Sequence, residues 1–228
     1  GDIFRQNLRS PERGIAAFEA AADIKPDSHA VLHKLIELFS ETEQWQRAVE
    51  IVERLAEMES NNRIKARYHY SAAVINRDKI KDLDAALTFF NTSLDHQLAN
   101  ISASAEVKPE DLKAFEAMDR ICTQRKDWKT QERNYRKMIK RLSPDGQQEL
   151  KIMLWHALGE IYRSRLRDFS SAIAAFEVAT GLQPDSMQRH EILAELYVIA
   201  GPDYADKAIS EHQTLIKGSP FKIDSYQA

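Results

Sequence analysis

The sequence predicts an all-α chain built from repeated helix pairs, an α-solenoid, and three observations carry that expectation. Seven Gly and seven Pro among 228 residues are each about 3% of the chain, below the usual ~7% and ~5%. Sandwiches and barrels need turn residues at roughly 8–12-residue intervals, which this composition does not supply. Residues 1–28 align without gaps on residues 159–186, with 14 of the 28 pairs identical, Gly1/Gly159, Arg5/Arg163, Leu8/Leu166 and Phe18/Phe176 among them. Apolar residues then recur at three- and four-residue steps, the period of a helix buried on one face.

The same features exclude several classes. No two glycines lie closer than 13 residues, so neither a Gly-x-Gly-x-x-Gly turn nor a phosphate-binding P-loop is present. The longest run without Asp, Glu, Lys or Arg is 10 residues, too short for a membrane-spanning helix. A single cysteine, Cys122, leaves no intramolecular disulfide and no zinc site of the paired-cysteine type.

The repeat is read best over 150–184. Trp155, Leu158 and Tyr162 form one stripe, and Ala172, Phe176 and Ala179 a second, with Pro184-Asp185-Ser186 ending the second helix and offering caps. Small Ala residues allow close helix approach, and the aromatic residues fill the space between neighbours. These residues resemble the tetratricopeptide repeat, whose pattern is Trp-x2-Leu-Gly-x2-Tyr, then Ala-x3-Phe, then Pro.

Carried along the chain, the pattern gives a half repeat at 1–28 and repeats at about 29–62, 65–97, 112–144, 150–184 and 187–220. Leu32, Leu35, Ile36 and Phe39 mark the second repeat, with Ala48, Val52 and Leu55. Tyr68, Ala72, Ile75, Ala85 and Phe89 mark the third; Phe115, Met118, Cys122, Tyr135 and Met138 the fourth; Leu193, Ala194, Tyr197, Ala208 and Leu215 the sixth. Trp45 and Trp128 each fall three residues before a second-helix position, where they are expected to pack the turn. Repeats one, three and five carry one extra residue between their helices. The polar segment 98–111 is an insertion, either a longer second helix of repeat three or an excursion, and 221–228 is a short tail.

The resemblance implies a right-handed α-solenoid of antiparallel helix pairs and a non-enzymatic protein–protein interaction scaffold, with no cofactor and no metal. In that family the first helices line an inner groove, with repeat positions 2, 5, 9, 12 and 13 facing it. Transferred here, this implies a partner-binding face of His33, Glu37, Glu41, His69, Asn76, Arg77, Lys113, Glu116, Arg120, His156, Glu160 and Arg163. The Lys/Asn pair with which some members clamp a chaperone's terminal carboxylate is missing at positions 5 and 9, so a chaperone tail is disfavoured as partner. A groove of mixed charge suits an extended peptide or a partner helix.

Two other chemistries compete. His29, His33 and Glu37 share a helix face and could ligate a divalent ion, yet no further ligand is indicated, and polar groove residues are the preferred explanation. Residues 108–141 carry eleven basic and six acidic side chains, +5 within a chain of net charge −3. Arg133, Arg136, Lys137, Lys140 and Arg141 form a basic helix that could tether nucleic acid or membrane. No aromatic residues interleave the charges to stack bases, so nucleic acid is disfavoured. A regulatory or sensor segment of a larger protein is the other alternative. Gly1 aligns with the middle of a first helix and there is no initiating Met, so a truncated start is expected, with targeting signals outside this sequence and the cytoplasm as the default compartment. Open repeat ends lead to a further expectation, weak head-to-tail self-association.

Overall fold

The computed structural model describes residues 11–218. Within them lie eleven α-helices and no strand: α1 Pro11–Ile24, α2 His29–Glu41, α3 Trp45–Met58, α4 Asn62–Ile75, α5 Leu83–Gln97, α6 Lys113–Arg125, α7 Trp128–Arg141, α8 Gln148–Glu160, α9 Phe169–Leu182, α10 Met187–Ala200 and α11 Ala205–Gly218. The aligned residues of the half repeat before Pro11, Pro220 and the 221–228 tail lie outside the described residues.

The helices form two compact units. One holds the described residues up to Ala99 together with Lys108–Ile121; the other holds Asn100–Val107 and the described residues from Cys122 onward. In the first unit α1 to α5 pack in chain order, each on the next, as α7 to α11 do in the second. This neighbour-only packing is the logic of a solenoid, in which each helix pair buries its stripe against adjacent pairs. The chain is all-α, built of stacked antiparallel helix pairs.

Each core follows from helical spacing. Leu32, Leu35, Leu38 and Phe39 of α2 pack with Ile15 and Ala22 of α1 and with Ala48 and Leu55 of α3. In the second unit Ala172, Ile173 and Phe176 of α9 meet Ile192, Leu193, Leu196 and Tyr197 of α10 and Ala208 of α11. Trp155 is the exception to expectation. It stays half-buried at the edge of its pair, and Phe176, fully buried, fills the centre. Gly159 makes that possible: a Cβ there would sit 2.8 Å from the Phe176 ring.

The turns inside the pairs repeat one construction. A residue in the left-handed region (Glu43, Lys81, Lys126 or Arg167) is followed by the residue that starts the next helix. Asp82, Asp127 and Asp168 cap α5, α7 and α9 by accepting from backbone N–H groups, which satisfies donors a helix start leaves orphaned. In repeats two and four the turn closes over five residues, Gln44 N to Phe39 O at 2.8 Å and Asp127 N to Cys122 O at 2.9 Å. In repeats three and five it closes over six, Asp82 N to Asn76 O and Asp168 N to Tyr162 O, both 3.0 Å. The extra residue counted in the sequence is absorbed as a π-helical last turn, Asn76–Ile80 after α4 and Ile161–Leu166 after α8.

That turn corrects the register of repeat three. Aligning Asp82 on Asp168 pairs Ala86 with Ala172 and Phe90 with Phe176, and all four are fully buried. Tyr70 meets Phe90 edge-on at 5.5 Å as His156 meets Phe176 at 5.4 Å. The pattern residues of repeat three are therefore Ala86 and Phe90, one beyond the expected Ala85 and Phe89.

Of the two expectations for the 98–111 insertion, the structure shows the excursion. The α5 helix ends at Gln97. Residues 100–107 then fold onto the α7–α8 turn, where Gln147 Nε2 donates to the carbonyls of Ser102 (2.9 Å) and Ala105 (2.8 Å). Gly146 passes so close to Ala103 that a Cβ would stand 2.4 Å from its carbonyl oxygen. Pro109–Leu112 then forms a short 3-10 turn leading into α6.

Candidate functional site

In the first unit the open face of α2 carries His33, Glu37 and Glu41, all exposed. Helical spacing places them in one row, because Leu32, Leu35 and Phe39 turn the opposite stripe into the core. Glu37 pairs with Lys34 at 2.7 Å, and His33 Nε2 lies 3.3 Å from the Tyr68 hydroxyl of α4. On α6, Lys113, Glu116 and Arg120 are exposed.

Two expected groove residues are displaced by the register shift. Asn76 is only 5% exposed, and its side-chain amide donates to Ala72 O at 2.9 Å inside the π-helical turn. His69 points toward α5, its ring stacked on His96 at 5.2 Å and near Phe89 at 6.3 Å. Burial holds the His69 imidazole below its ordinary pKa, with His96 and Lys65 adding to the shift. Neither residue faces a groove. The corresponding residues of α4 and its last turn are instead Arg67, Tyr70, Val74, Arg77 and Asp78, of which Arg67 and Asp78 are exposed and the other three half-buried. Arg77 is half-buried and grips Asp78 through two hydrogen bonds of 2.7 Å; this pairing raises the guanidinium pKa and lowers the carboxyl.

The sequence reading missed Arg63, Arg67, Tyr70 and Ser71, which line a cavity of about 370 Å³ with Ser93 and Gln97 of α5 and Glu110, Asp111, Lys113 and Ala114. The signal was present. Arg77-Asp-Lys-Ile-Lys-Asp82 parallels Arg163-Ser-Arg-Leu-Arg-Asp168, and aligning those segments brings Arg67 to repeat position 2 and Tyr70 to position 5.

In the second unit, His156, Glu160 and Arg163 lie along α8 and its π-helical turn, each half-buried. Arg163 holds Glu160 at 3.0 Å and reaches Glu195 of α10 at 3.5 Å. With Ser164, Arg167, Phe169, Leu196 and Ile199 it lines a second cavity of about 330 Å³. Burial lowers the His156 pKa, as its edge-on contact with Phe176 implies. Beneath, the Tyr162 hydroxyl donates to Glu132 of α7 at 2.5 Å, and burial together with that carboxylate pushes its pKa up to about 12.

Among the described residues no group of three or more His, Cys, Asp or Glu is placed to hold a metal ion, and His29, His33 and Glu37 form no such cluster. Cys122 is buried, 3.7 Å from Asn134 Nδ2, in the role of a small core residue. Along the basic helix, Arg133, Arg136, Lys137 and Lys140 are exposed while Met138 and Leu142 are buried. No described helix is long and apolar enough to cross a membrane.

Residues 154–186 match the family model of the tetratricopeptide repeat. No curated protein matches the chain in sequence. Among solved structures, the chain is similar to MamA residues 41-end from Desulfovibrio magneticus RS-1 (14% identity, 85% of this chain and 96% of that one, TM-score 0.39). It is similar also to the C-terminal part of a TPR repeat-containing protein from Cytophaga hutchinsonii (13%, 96% and 77%, 0.43). A third is the TPR2AB domain of yeast Sti1 in its complex with pHSP90 (15%, 99% and 90%, 0.39). At these scores no residue role transfers from them. The match at 154–186 falls on the helix pair built from the Trp155 and Phe176 stripes, the Asp168-capped turn and the Gly159–Phe176 contact, and that segment is a tetratricopeptide repeat.

Proposed function

We propose that this chain is a non-enzymatic protein-interaction scaffold that holds an extended segment of a partner against the open faces of its first helices. The observation that carries this is the division of labour in α2, α4 and α6. Their apolar stripes are spent on neighbouring helices, while His33, Glu37, Arg67, Glu116 and Arg120 stand outward. Polar side chains on a rigid helical face suit recognition of a peptide with its own mixed charge. No reaction is assigned to the chain.

Reversing Arg120 and Arg163 to Glu is expected to abolish partner binding with little change in thermal stability. Reversing Arg136 and Lys140 on α7 is expected to leave binding intact. Photo-crosslinking from positions 37 and 120, against position 140 as control, reads the same contrast directly. If the α7 pair proves critical and the groove pair neutral, a basic-helix tether replaces the scaffold; the four exposed cations of α7 are the observation favouring that second reading.

A further inference from the structure

The cavity between α4, α5 and the start of α6 has more positive charge than its own fold uses. Arg63, Arg67 and Lys113 are exposed along it, and none of the three makes an ion pair or side-chain hydrogen bond among the described residues. The local acids offset them only in part. Asp111 uses one oxygen on α5, accepting from Gln97 Nε2 at 2.5 Å, and the other on its own turn, accepting from Lys108 N at 3.0 Å. Glu110 is exposed on the same turn, so two carboxylates stand against three cations and the cavity keeps a net positive charge. The wall hydroxyls face backbone carbonyls, Ser71 Oγ donating to Arg67 O at 3.0 Å and Ser93 Oγ to Ala66 O at 2.8 Å.

Placement sharpens the point. Arg63 lies in the first turn of α4, which contains no acidic residue, and Lys113 is the first residue of α6, whose first turn also carries Glu116. A helix start already carries partial positive charge, so cations there oppose the helix dipole and weaken the helix. Two such placements on one cavity, with Arg67 between them, concentrate positive potential where folding gains nothing from it.

We propose that this cavity receives the carboxylates of an acidic internal segment of the partner protein, with Arg67 as a forked two-bond donor and Arg63 and Lys113 closing on either side. The inference rests on the scaffold reading and names the charge of what that scaffold binds. A volume of about 370 Å³ accommodates one or two Glu side chains and falls within the range of ligand pockets.

The test uses a fluorescent oligo-glutamate peptide amidated at its C-terminus, with an oligo-lysine peptide and inorganic phosphate as controls, read by anisotropy at about 0.1 M salt. Oligo-glutamate is expected to bind, and Arg67→Glu with Lys113→Glu to weaken it at least tenfold. Arg63→Glu is expected to weaken binding while raising Tm, since it relieves the clash with the α4 dipole. Arg67→Ala with Lys113→Ala keeps the test valid if the reversal perturbs folding, and Arg136→Glu with Lys140→Glu is expected to change binding less than twofold. The proposal is overturned if oligo-glutamate does not bind, if only the α7 variant weakens it, or if inorganic phosphate at equal concentration displaces it fully. Those outcomes leave the scaffold reading standing, because that depends on the groove variants and crosslinks with the natural partner.

Discussion

Phe176 and Trp155 are large aromatic side chains of the same helix pair, and burial ranks them. Phe176 is fully buried, so Phe176→Ala is expected to cost about 3–5 kcal/mol. Trp155 is half-buried, so Trp155→Ala is expected to cost about 2 kcal/mol, below the value for a fully enclosed ring. Denaturant melts of the two variants check the order. Histidine protonation is the second effect at this scale. Burial is the first cause lowering His69, His96 and His156 from 6.5. A depressed imidazole pKa means the unfolded chain binds the proton more tightly. The associated stability is therefore complete above about pH 6.5 and lost as pH falls through the folded values. Asp127 and Asp168, lowered from 3.8 by their hydrogen bonds to Thr130 and Ser171, add a loss of the same sign at lower pH. Tm is expected to drop between about pH 7.5 and about pH 5, and His156→Gln to flatten that dependence. An unchanged or rising Tm on acidification would show that the three stacked or edge-packed imidazoles are not buried neutral.

At the scale of elements, the turns set both register and stability. Glu43, Lys81, Lys126 and Arg167 adopt positive φ, between 54° and 67°, where a Cβ crowds the backbone and Gly is favoured. Lys126→Gly is expected to stabilise by about 0.5–1 kcal/mol, measured as a rise in Tm; a fall would mean the Lys126 side chain contributes more than the strain it causes. The π-helical turns have a second consequence. Lys79 lies 4.9 Å from the centre of the Trp45 ring at the start of α3, and Arg165 lies 4.7 Å from Trp128 at the start of α7. The two π-helical turns thus present a cation from equivalent positions to the first residue of a preceding second helix. Trp45 and Trp128 pack the turns as their spacing suggested, and what they receive there is a charge as well as an apolar wall.

For the whole molecule, the exposed apolar surface of the last described pair matters most. Val198 is 66% exposed and Ile209 56%, and they line a cleft of about 840 Å³ with Ile216, Gly201 and Pro202 between α10 and α11. Contiguous apolar surface of this kind marks a contact site. We propose that a second copy occupies it in weak head-to-tail association. Sedimentation is expected to show concentration-dependent self-association that Val198→Lys with Ile209→Lys removes. A sedimentation coefficient constant over a wide concentration range, in the parent chain, would sink the idea. The partner ends of this expectation, residues 1–8 and Phe221, Ile223 and Tyr226, lie outside the described residues.

Helix type, repeat identity and core stripes were determined by the sequence alone, because they are local. A 3.6-residue period fixes which face is apolar, and 14 identities over 28 aligned positions fix that the unit recurs. The stripes Leu32-Leu35-Phe39 and Ala172-Phe176-Ala179 needed no partner to be recognised. Tertiary structure decided where the extra residue goes. A single added residue can lengthen a loop or widen a helical turn, and the local pattern scores both equally. Here the widened turn wins because it keeps Asp82 and Asp168 as helix caps and seats Phe90 and Phe176 in the core. One residue of register is about 100° around a helix. That rotation buries Asn76 and turns Arg67 outward, and so brings Arg63, Arg67 and Lys113, from segments some fifty residues apart in sequence, to one cavity.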